Sequence, residues 1–341
     1  MKTIRVLLTC IGGRFSVNTI DALRRSLNPK IRIIGVDSDR DTITRNFVDR
    51  FYAVPWGVEK IYAGRLLDIC KKENVEVLIP CADEEVLSIA QAKEAFERNG
   101  VITATDNLET LDLVMDKWKL FSHLRKSGVP TPRFELVSRI GDIGPAARAL
   151  GYPRNKFVLK PRRSRGARNV WIIGKDKGST ALEDFYDHAK RNNIDRLDYI
   201  AMEFLPGPAY DVDVLSRCGQ PLLIVPRRRV WRNRLSASSE GCITEKNKPL
   251  TELVARISSA LKLNYAYDFD CGSFKDSAPA VYEINPRLSG AVAASLGGGV
   301  NVPLMLVRMA MGMKLPKFKI NFDVSMFPVS KMLFIKKGRI I

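Results

Sequence analysis

Val281-Tyr282-Glu283-Ile284-Asn285-Pro286-Arg287 alternates apolar and polar side chains and reaches a proline near its end, which is typical of a β-strand that stops there. Successive side chains of a strand point to opposite faces, so its glutamate and asparagine share one face. An earlier strand-like stretch carries Asp268 and Asp270, which share a face for the same reason. Hard oxygen ligands that converge from neighbouring strands suit Mg²⁺ with bound phosphates. Arg287 adds a guanidinium able to bind phosphate or carboxylate through two hydrogen bonds.

A basic loop follows a short apolar strand in the middle of the chain. Residues 157–159 are apolar, Lys160 comes next, and residues 162–168 combine arginines with Ser164 and Gly166. Cationic side chains and exposed backbone amides suit a polyphosphate. A solvated basic turn would have the same composition. The loop therefore indicates a phosphate site only in combination with the motifs that follow it in the sequence.

Residues 202–207 end a further strand in a Pro-Gly turn. The backbone donor and acceptor of such a linker are suited to the edge of an adenine. Asp211 and Asp213 then alternate on one face of the next strand, as outward-facing acids of an edge strand also would.

The first hundred residues alternate between strand-like and helix-like segments. Strands are predicted at 4–10, 31–36 and 75–79, and helices at 17–26, 61–72 and 84–97. This alternation predicts a parallel sheet with helices on its faces. Gly12-Gly13 follows the first strand without the GxGxxG spacing, which argues against a nicotinamide-dependent oxidoreductase and favours a simple turn.

A helical pair at 106–127 stops at residues 128–132, which contain two prolines and a glycine. The rest of the chain is predicted to be a mixed, largely antiparallel α+β region. Its strands are expected at 157–161, 170–173, 199–205, 211–216 and 222–225, and its helices at 179–192 and 249–261.

Composition narrows the class of protein. The chain has 341 residues, and 55 Lys and Arg against 37 Asp and Glu give a net charge of +18, which attracts anionic partners. Six widely spaced cysteines without a CxxC pair argue against a zinc site or a disulfide scaffold. No apolar stretch reaches the roughly 20 residues of a membrane span. We therefore expect a reduced, cytoplasmic protein that does not enter a membrane.

Four motifs in order resemble the ATP-grasp superfamily, above all relatives of the carbamoyl phosphate synthetase large subunit and pyrrolysine-type amino-acid ligases. The motifs are Asp116-Lys117, residues 158–161, residues 202–207 and residues 283–290. The resemblance implies an α/β plus α+β fold, in which a Rossmann-like N-terminal domain (1–112) precedes the two ATP-grasp subdomains (113–200, with the phosphate lid, and 201–341, with the metal site).

The resemblance also implies roles for individual residues. It assigns the ATP phosphates to Lys117, Lys160 and the lid residues Ser164 and Gly166, the adenine to Glu203, Phe204 and Leu205, and Mg²⁺ or Mn²⁺ to Asp268 or Asp270 with Glu283 and Asn285. Arg287 is expected to steady the transferring phosphoryl group. Ala209 stands where the family carries a ribose-binding glutamate, and Asp211, two residues on, is the expected substitute.

An arginine-rich stretch at 227–234 lies between these motifs. If alternate residues face inward, Arg227 and Arg229 are placed to bind a substrate carboxylate or the γ-phosphate, and the remaining arginines suit an acidic substrate such as a peptide. A solvated edge strand is the alternative.

The expected activity is that of an ATP-dependent carboxylate–amine ligase that works through an acyl phosphate, on an amino acid or small peptide and as a homodimer. One alternative is phosphorylation of a small carboxylate, as in carbamoyl phosphate synthesis. Another is a non-catalytic protein that binds nucleic acid or another polyanion. That alternative expects aromatic residues among the basic ones, and the sequence offers only Trp231.

Overall fold

The computed structural model describes residues 3–13, 16–164, 166, 168–174, 181–192, 194, 196–230, 241–275, 278–329, 334–336 and 339–340. The chain begins with a five-stranded parallel sheet in the order β3-β2-β1-β4-β5, as the alternating sequence pattern predicts. The strands are β1 (Thr3–Leu8), β2 (Lys30–Asp37), β3 (Arg50–Ala53), β4 (Val77–Ile79) and β5 (Ile102–Thr103).

Helices cover the faces of this first sheet, because its central strands are apolar on both sides. They are α1 (Ser16–Arg24), α2 (Tyr62–Glu73), α3 (Asp83–Gln91) and α4 (Lys93–Arg98), and a short 3-10 helix spans Ile43–Phe47. The single helix predicted at 84–97 is wrong. Ala92 has φ −97° and ψ 7°, outside the helical range, and the chain turns there so that Phe96 enters the core.

The predicted helical pair is present as α5 (Leu108–Met115) and α6 (Lys117–Lys126). Asp116 separates the two helices and caps α6, because its carboxylate accepts hydrogen bonds from the backbone of Trp118 at 3.0 Å and of Lys119 at 3.2 Å. This cap fixes the direction in which Lys117 leaves the first turn.

A second sheet of four antiparallel strands follows in the order β6-β9-β7-β8. Its strands are β6 (Phe134–Arg139), β7 (Phe157–Pro161), β8 (Trp171–Ile173) and β9 (Arg196–Glu203), and its helices are α7 (Ile143–Ala149), preceded by the 3-10 turn Ile140–Asp142, and α8 (Ala181–Arg191). The sequence analysis predicted neither β6 nor α7, nor the short strands β3 and β5 of the first sheet.

The third sheet has six antiparallel strands in the order β14-β13-β10-β11-β12-β15. These are β10 (Tyr210–Arg217), β11 (Gln220–Arg229), β12 (Cys242–Thr244), β13 (Tyr265–Ser273), β14 (Pro279–Asn285) and β15 (Ser325–Met326). The accompanying helices are α9 (Lys248–Ala260), α10 (Val292–Gly297) and α11 (Val302–Ala310), and β16 (Ile335–Lys336) pairs antiparallel with β17 (Arg339–Ile340).

The three sheets share their cores. One buried cluster joins the first sheet and α1 to α11 and the third sheet, and another joins α6 and the second sheet to α9 and the third sheet. No helix in the described part of the chain is long and apolar enough to cross a membrane. The domain boundaries at 112 and 200 stay predictions.

Candidate active site

The second and third sheets enclose a cleft, called the central cleft below, that is apolar at one end and ionic at the other. The apolar end is lined by Val158, Val170, Ile172, Met202, Phe204 and Leu205. The ionic end is lined by Lys160, Arg229, Asp268, Asp270, Tyr282, Glu283, Asn285 and Arg287. A nucleotide has a flat base at one end and charged phosphates at the other. A cleft with one apolar end and one ionic end is therefore suited to it.

Lys160 lies on β7 with its ammonium buried in the ionic end, and only 3% of the residue is exposed. Its Nζ donates a hydrogen bond of 2.8 Å to the carbonyl oxygen of Tyr282 and lies over the rings of Tyr282 and Phe121. Burial, followed by the charge of Lys117, lowers the pKa of Lys160 to about 7. Negative charge on a ligand stabilises the charged form of a lysine that is buried in this way.

Lys117 reaches the same region from the start of α6. Its Nζ lies 2.9 Å from Oε1 of Glu283 and donates a hydrogen bond of 3.2 Å to the carbonyl oxygen of Ser164. Burial acts to raise the pKa of Glu283, but the ammonium groups of Lys117 and Lys160 outweigh it and the net shift is downward. Glu283 is therefore a carboxylate at neutral pH.

The four aspartates predicted to share strand faces come together in the structure. β10 pairs with β13 so that Asp211 stands opposite Asp270 and Asp213 opposite Asp268. On the other side of β13, Asp268 stands opposite Asn285, and Asp270 opposite Glu283. Because residues directly opposite one another in a sheet share a face, these groups form one acidic surface.

Arginines neutralise this acidic surface. Nε of Arg229 donates to both carboxylate oxygens of Asp211 at 3.1 Å, and its Nη2 contacts Asp211 and Asp270. Arg287 donates to Oδ2 of Asp268 at 3.0 Å and lies 3.4 Å from Asp83 at the start of α3. Arg229 and Arg287 thus occupy the carboxylates that the sequence assigns to a metal ion.

Arg227 is fully buried behind these groups. Its Nη2 donates to Asp213 at 2.8 Å and to the hydroxyl of Ser289 at 3.0 Å, and it lies 3.7 Å from Asp268. The Asp213 carboxylate also accepts a hydrogen bond from Ser295. Arg227 therefore ties β10 and β11 to the segment after β14.

The residues fit a hard divalent cation in the chemistry of their oxygens. Asp268 Oδ1 is buried and lacks a hydrogen-bond partner among the described residues, so it can accept a further ligand. Burial raises the pKa of Asp268 to about 6. Within the described ranges, no three His, Cys, Asp or Glu side chains stand close enough to hold a metal by themselves. Asn285 and phosphate oxygens would therefore have to complete the coordination.

Several predicted site residues lie outside the central cleft. Asp211 is 1% exposed and is held by Arg229, so its carboxylate is not free to take the place of a ribose-binding acid. Glu203 does not line the cleft, and its carboxylate lies 3.5 Å from Nε of Arg133. Phe204, Leu205 and Gly166 do line it.

Two contributors were missed by sequence reasoning. Tyr282 accepts from Lys160 through its backbone and from Nη1 of Arg229 through its hydroxyl, at 3.0 Å in the second case. The alternation of the strand placed its side chain away from the acids, so no sequence pattern pointed to it. Asp83 follows a parallel strand, and this position at the carboxyl edge of the first sheet was a usable signal.

A second opening, called the adjacent cavity below, has a volume of about 620 Å³ and shares Glu283 and Asn285 with the central cleft. Its other walls come from the segment between β3 and α2, from α3, α5 and β9, and from the segment after β7, including the predicted lid residue Ser164. Lys117 lines this cavity rather than the central cleft. The side chains of Glu283 and Asn285 thus form a shared wall between the central cleft and the adjacent cavity.

The chain thus combines a parallel-sheet domain with two antiparallel sheets that enclose a cleft lined by Lys160 and paired acids. Residues 195–331 match the family described as "ATP-grasp in the biosynthetic pathway with Ter operon", and residues 6–104 match "PylC-like, N-terminal domain". The chain therefore carries an ATP-grasp fold behind a PylC-like N-terminal domain, and the resemblance predicted from the sequence is confirmed.

Curated relatives include carbamoyl phosphate synthases. The large chain from Pseudothermotoga lettingae is 22% identical over 323 residues, which cover 91% of this chain but only 28% of that protein. Carbamoyl-phosphate synthase from Methanobrevibacter smithii is 22% identical over 299 residues, which cover 83% of this chain and 75% of that protein. The chain thus spans little more than a quarter of the length of the first relative.

Solved structures confirm the fold. N5-carboxyaminoimidazole synthetase from Staphylococcus aureus complexed with ADP has a TM-score of 0.74 at 15% identity, covering 96% of this chain and 83% of that one. L-amino acid ligase from Bacillus licheniformis has a TM-score of 0.67 at 16% identity, covering 91% of this chain and 76% of that one. At these identities the likeness concerns the fold.

Proposed function

We propose that this protein is an ATP-dependent carboxylate–amine ligase that forms an acyl phosphate. The observation that carries the proposal is the shared wall of Glu283 and Asn285. It places a cleft with an apolar end and the buried Lys160 directly against a second cavity that Lys117 lines and that is large enough for an organic substrate. A nucleotide in the first and a carboxylate in the second would meet at this wall.

The reaction follows from the chemistry of the groups. A carboxylate oxygen of the substrate attacks the γ-phosphorus of ATP, the bond to the bridging oxygen breaks, and ADP leaves. The amine then attacks the acyl carbon, and phosphate departs with the former carboxylate oxygen. A proton lost from the nitrogen completes an amide. Charge spreads over the phosphoryl oxygens during the first step, so fixed cations accelerate it.

The residues of the chain divide this work. Lys160 and Lys117 stand where they can hold phosphate oxygens, and Arg287 is positioned to steady the transferring group and the acyl phosphate. Asp268 or Asp270, with Glu283 and Asn285, would hold Mg²⁺, which neutralises phosphate charge when bound. The backbone of Phe204 and Leu205, beside the apolar end, is suited to the adenine.

The test is release of ADP by the purified protein with Mg²⁺ and ATP, against pools of amino acids, dipeptides and small carboxylates. We expect release with one carboxylate–amine combination, and loss of at least a hundredfold in Glu283→Gln. Glu252→Gln is the matched control, because it removes the same charge from a side chain that is 63% exposed on α9. Equal rates in both variants would refute the assignment.

A label identifies the intermediate. If the carboxylate carries ¹⁸O, the acyl-phosphate route transfers one ¹⁸O atom to the released phosphate, which mass spectrometry detects. A route that hydrolyses ATP without activating the carboxylate leaves the phosphate unlabelled.

A second candidate is phosphorylation of a small carboxylate without amide formation, which the carbamoyl phosphate synthase relatives favour. Bicarbonate as the only productive substrate would select this candidate. Hydroxylamine then distinguishes the two candidates. It reacts with an acyl phosphate, so a ligase that activates an organic acid gives the hydroxamate of that acid.

A further inference from the structure

The loop between β3 and α2, residues 54–61, exposes apolar side chains although it is held firmly. Trp56 is 65% exposed and Val58 is 70% exposed. The carbonyl of Gly57 between them accepts a hydrogen bond of 2.7 Å from the hydroxyl of Ser88 on α3. Trp56 and Glu59 close the loop on itself, because the Trp56 backbone N–H donates to Glu59 Oε1 at 2.7 Å and the Glu59 N–H to the Trp56 carbonyl at 2.9 Å.

Gly57 is required for this close approach to α3. A Cβ at Gly57 would lie 2.8 Å from the Cβ of Glu85 and 3.1 Å from its Cα, and a backbone atom of a helix cannot move aside cheaply. Glu85 is itself fixed by hydrogen bonds from the backbone of Cys81 and Ala82, both at 2.9 Å. The 54–61 loop is therefore pinned to α3, and its exposed side chains are held in place rather than packed away.

Val58 projects from this pinned loop into the adjacent cavity. Other apolar side chains line the same cavity, among them Leu87 on α3 and Met115 on α5, which are half-buried, and Val114 on α5, which is 1% exposed. Apolar surface left open to water in a fixed position is unfavourable unless a ligand or partner covers it. The side of the cavity formed by the 54–61 loop, α3 and α5 thus presents an apolar surface.

The segment after β7 gives the cavity a cationic side. Arg163 and Arg168 line it there. Arg163 is paired with Asp112 at 2.5 Å, whereas Arg168 makes no ion pair or hydrogen bond with any residue that the structure describes. A guanidinium of this kind is suited to a carboxylate. Asp83, Glu84 and Asp198 also line the cavity. The cavity therefore combines an apolar side with charged groups of both signs, and it meets the central cleft at Glu283 and Asn285.

Resting on the proposed function, we propose that the ligase takes an α-amino acid with an apolar side chain, or a dipeptide that contains one, and that the 54–61 loop determines this preference through Val58. The apolar side chain of the substrate lies against Val58 and Leu87, and its charged groups face Arg168 and the shared wall. A volume of about 620 Å³ leaves room for such a substrate and far exceeds what a one-carbon acid needs.

The test measures binding first, so that it does not depend on turnover. Calorimetry with Mg²⁺ and a non-hydrolysable ATP analogue compares leucine, methionine and phenylalanine, and dipeptides of each, with serine, aspartate, lysine and bicarbonate. We expect at least tenfold tighter binding of an apolar member, since a methylene group in a hydrophobic pocket is worth about tenfold or more. Val58→Asp should weaken that binding at least tenfold.

Ile61→Thr is the matched control, because Ile61 is 65% exposed on the same loop and lines neither the adjacent cavity nor the central cleft. Gly57→Ala is the second probe. It moves the loop without changing any side chain of the cavity, and it should weaken binding of the apolar substrate while ATP-analogue binding stays within twofold.

The outcomes separate the two proposals. Apolar preference that Val58→Asp removes supports the specificity loop, even where no substrate releases ADP and the ligase proposal fails. ADP release with bicarbonate or a charged amino acid alone overturns the specificity loop and leaves an ATP-dependent activity standing. Binding that is equal across the panel, or unchanged in Val58→Asp, also overturns it.

Discussion

Lys160 should take up a proton when ATP binds, and this can be worked out from its surroundings. Its pKa is lowered from the ordinary 10.5 to about 7 because the ammonium is buried. At about pH 8 only about one-tenth of such a lysine is charged. Phosphates of a bound nucleotide favour the charged form and return the pKa towards its ordinary value. Binding at this pH should therefore consume roughly 0.9 proton per nucleotide from Lys160.

Calorimetry in buffers of different ionisation enthalpy measures this uptake directly. The slope of binding enthalpy against buffer enthalpy gives the number of protons taken from the buffer. The slope should fall by most of one proton in Lys160→Met and stay unchanged in Lys248→Met, whose side chain is 82% exposed. ATP itself can also take up protons when it binds. The difference in slope between the wild type and Lys160→Met isolates the contribution of the lysine.

The same substitution should make the protein more stable. A pKa shift from 10.5 to about 7 corresponds to about 5 kcal/mol as an upper limit. The folded-state pKa is the lower one, so between about pH 7 and pH 10.5 the unfolded chain binds a proton that the native chain does not. Wild-type stability therefore rises with pH across this window, and the advantage of Lys160→Met is greatest at and below pH 7.

Urea unfolding at about pH 7 and about pH 10 tests the sign. We expect a higher free energy of unfolding for Lys160→Met at the lower pH, by a few kcal/mol, and a smaller difference at the higher pH. A variant less stable than the wild type at pH 7, with the same buffer dependence of ATP binding, would refute a lysine whose charged form is destabilised by burial.

Three further predictions concern the acids and the linker. Asp268→Asn and Asp270→Asn should each weaken binding of Mn²⁺ in the presence of an ATP analogue, by about tenfold or more, as measured by electron paramagnetic resonance, and the larger loss identifies the main metal ligand. Arg227→Met should lower the free energy of unfolding by about 3–5 kcal/mol in urea, because it leaves Asp213 buried without its partner, and an unchanged midpoint would contradict a buried ion pair. Gly207→Ala should weaken ATP-analogue binding in calorimetry without abolishing folding, because its methyl would lie 2.8 Å from a backbone oxygen of β13, and wild-type affinity would show that the linker does not contact the nucleotide.

Much of the site could be predicted because strands impose a period of two. That rule alone placed Asp211 with Asp213, and Asp268 with Asp270. It could not show that β10 lies beside β13, since strand order depends on packing between distant segments. It also put Arg227 and Arg229 on one face of their strand, but it left open whether that face points inward or to solvent. Trp231 and the arginines after it lie outside the described residues.

What the sequence could not provide is the partner of each charge. Asp211 was expected to face a ribose, but Arg229 on the next strand holds it. Short elements were missed for a related reason. β3 and β5 have four and two residues, too few for a periodic pattern, and their pairing depends on neighbours already in the sheet.

The ionic end of the central cleft has a thermodynamic consequence. Five carboxylates on β10, β13 and β14 face Lys117, Lys160 and three arginines, so basic side chains balance most of the negative charge of the site before any ligand binds. A free cation would have to compete with arginines for its ligands, and a free anion would have to compete with acids. A metal ion and a triphosphate that bind together take up the acids and the basic side chains at the same time, so neither set of groups loses its partner without gaining another. We therefore expect each to strengthen binding of the other, so that the cleft would bind the metal–nucleotide complex in preference to its separate components.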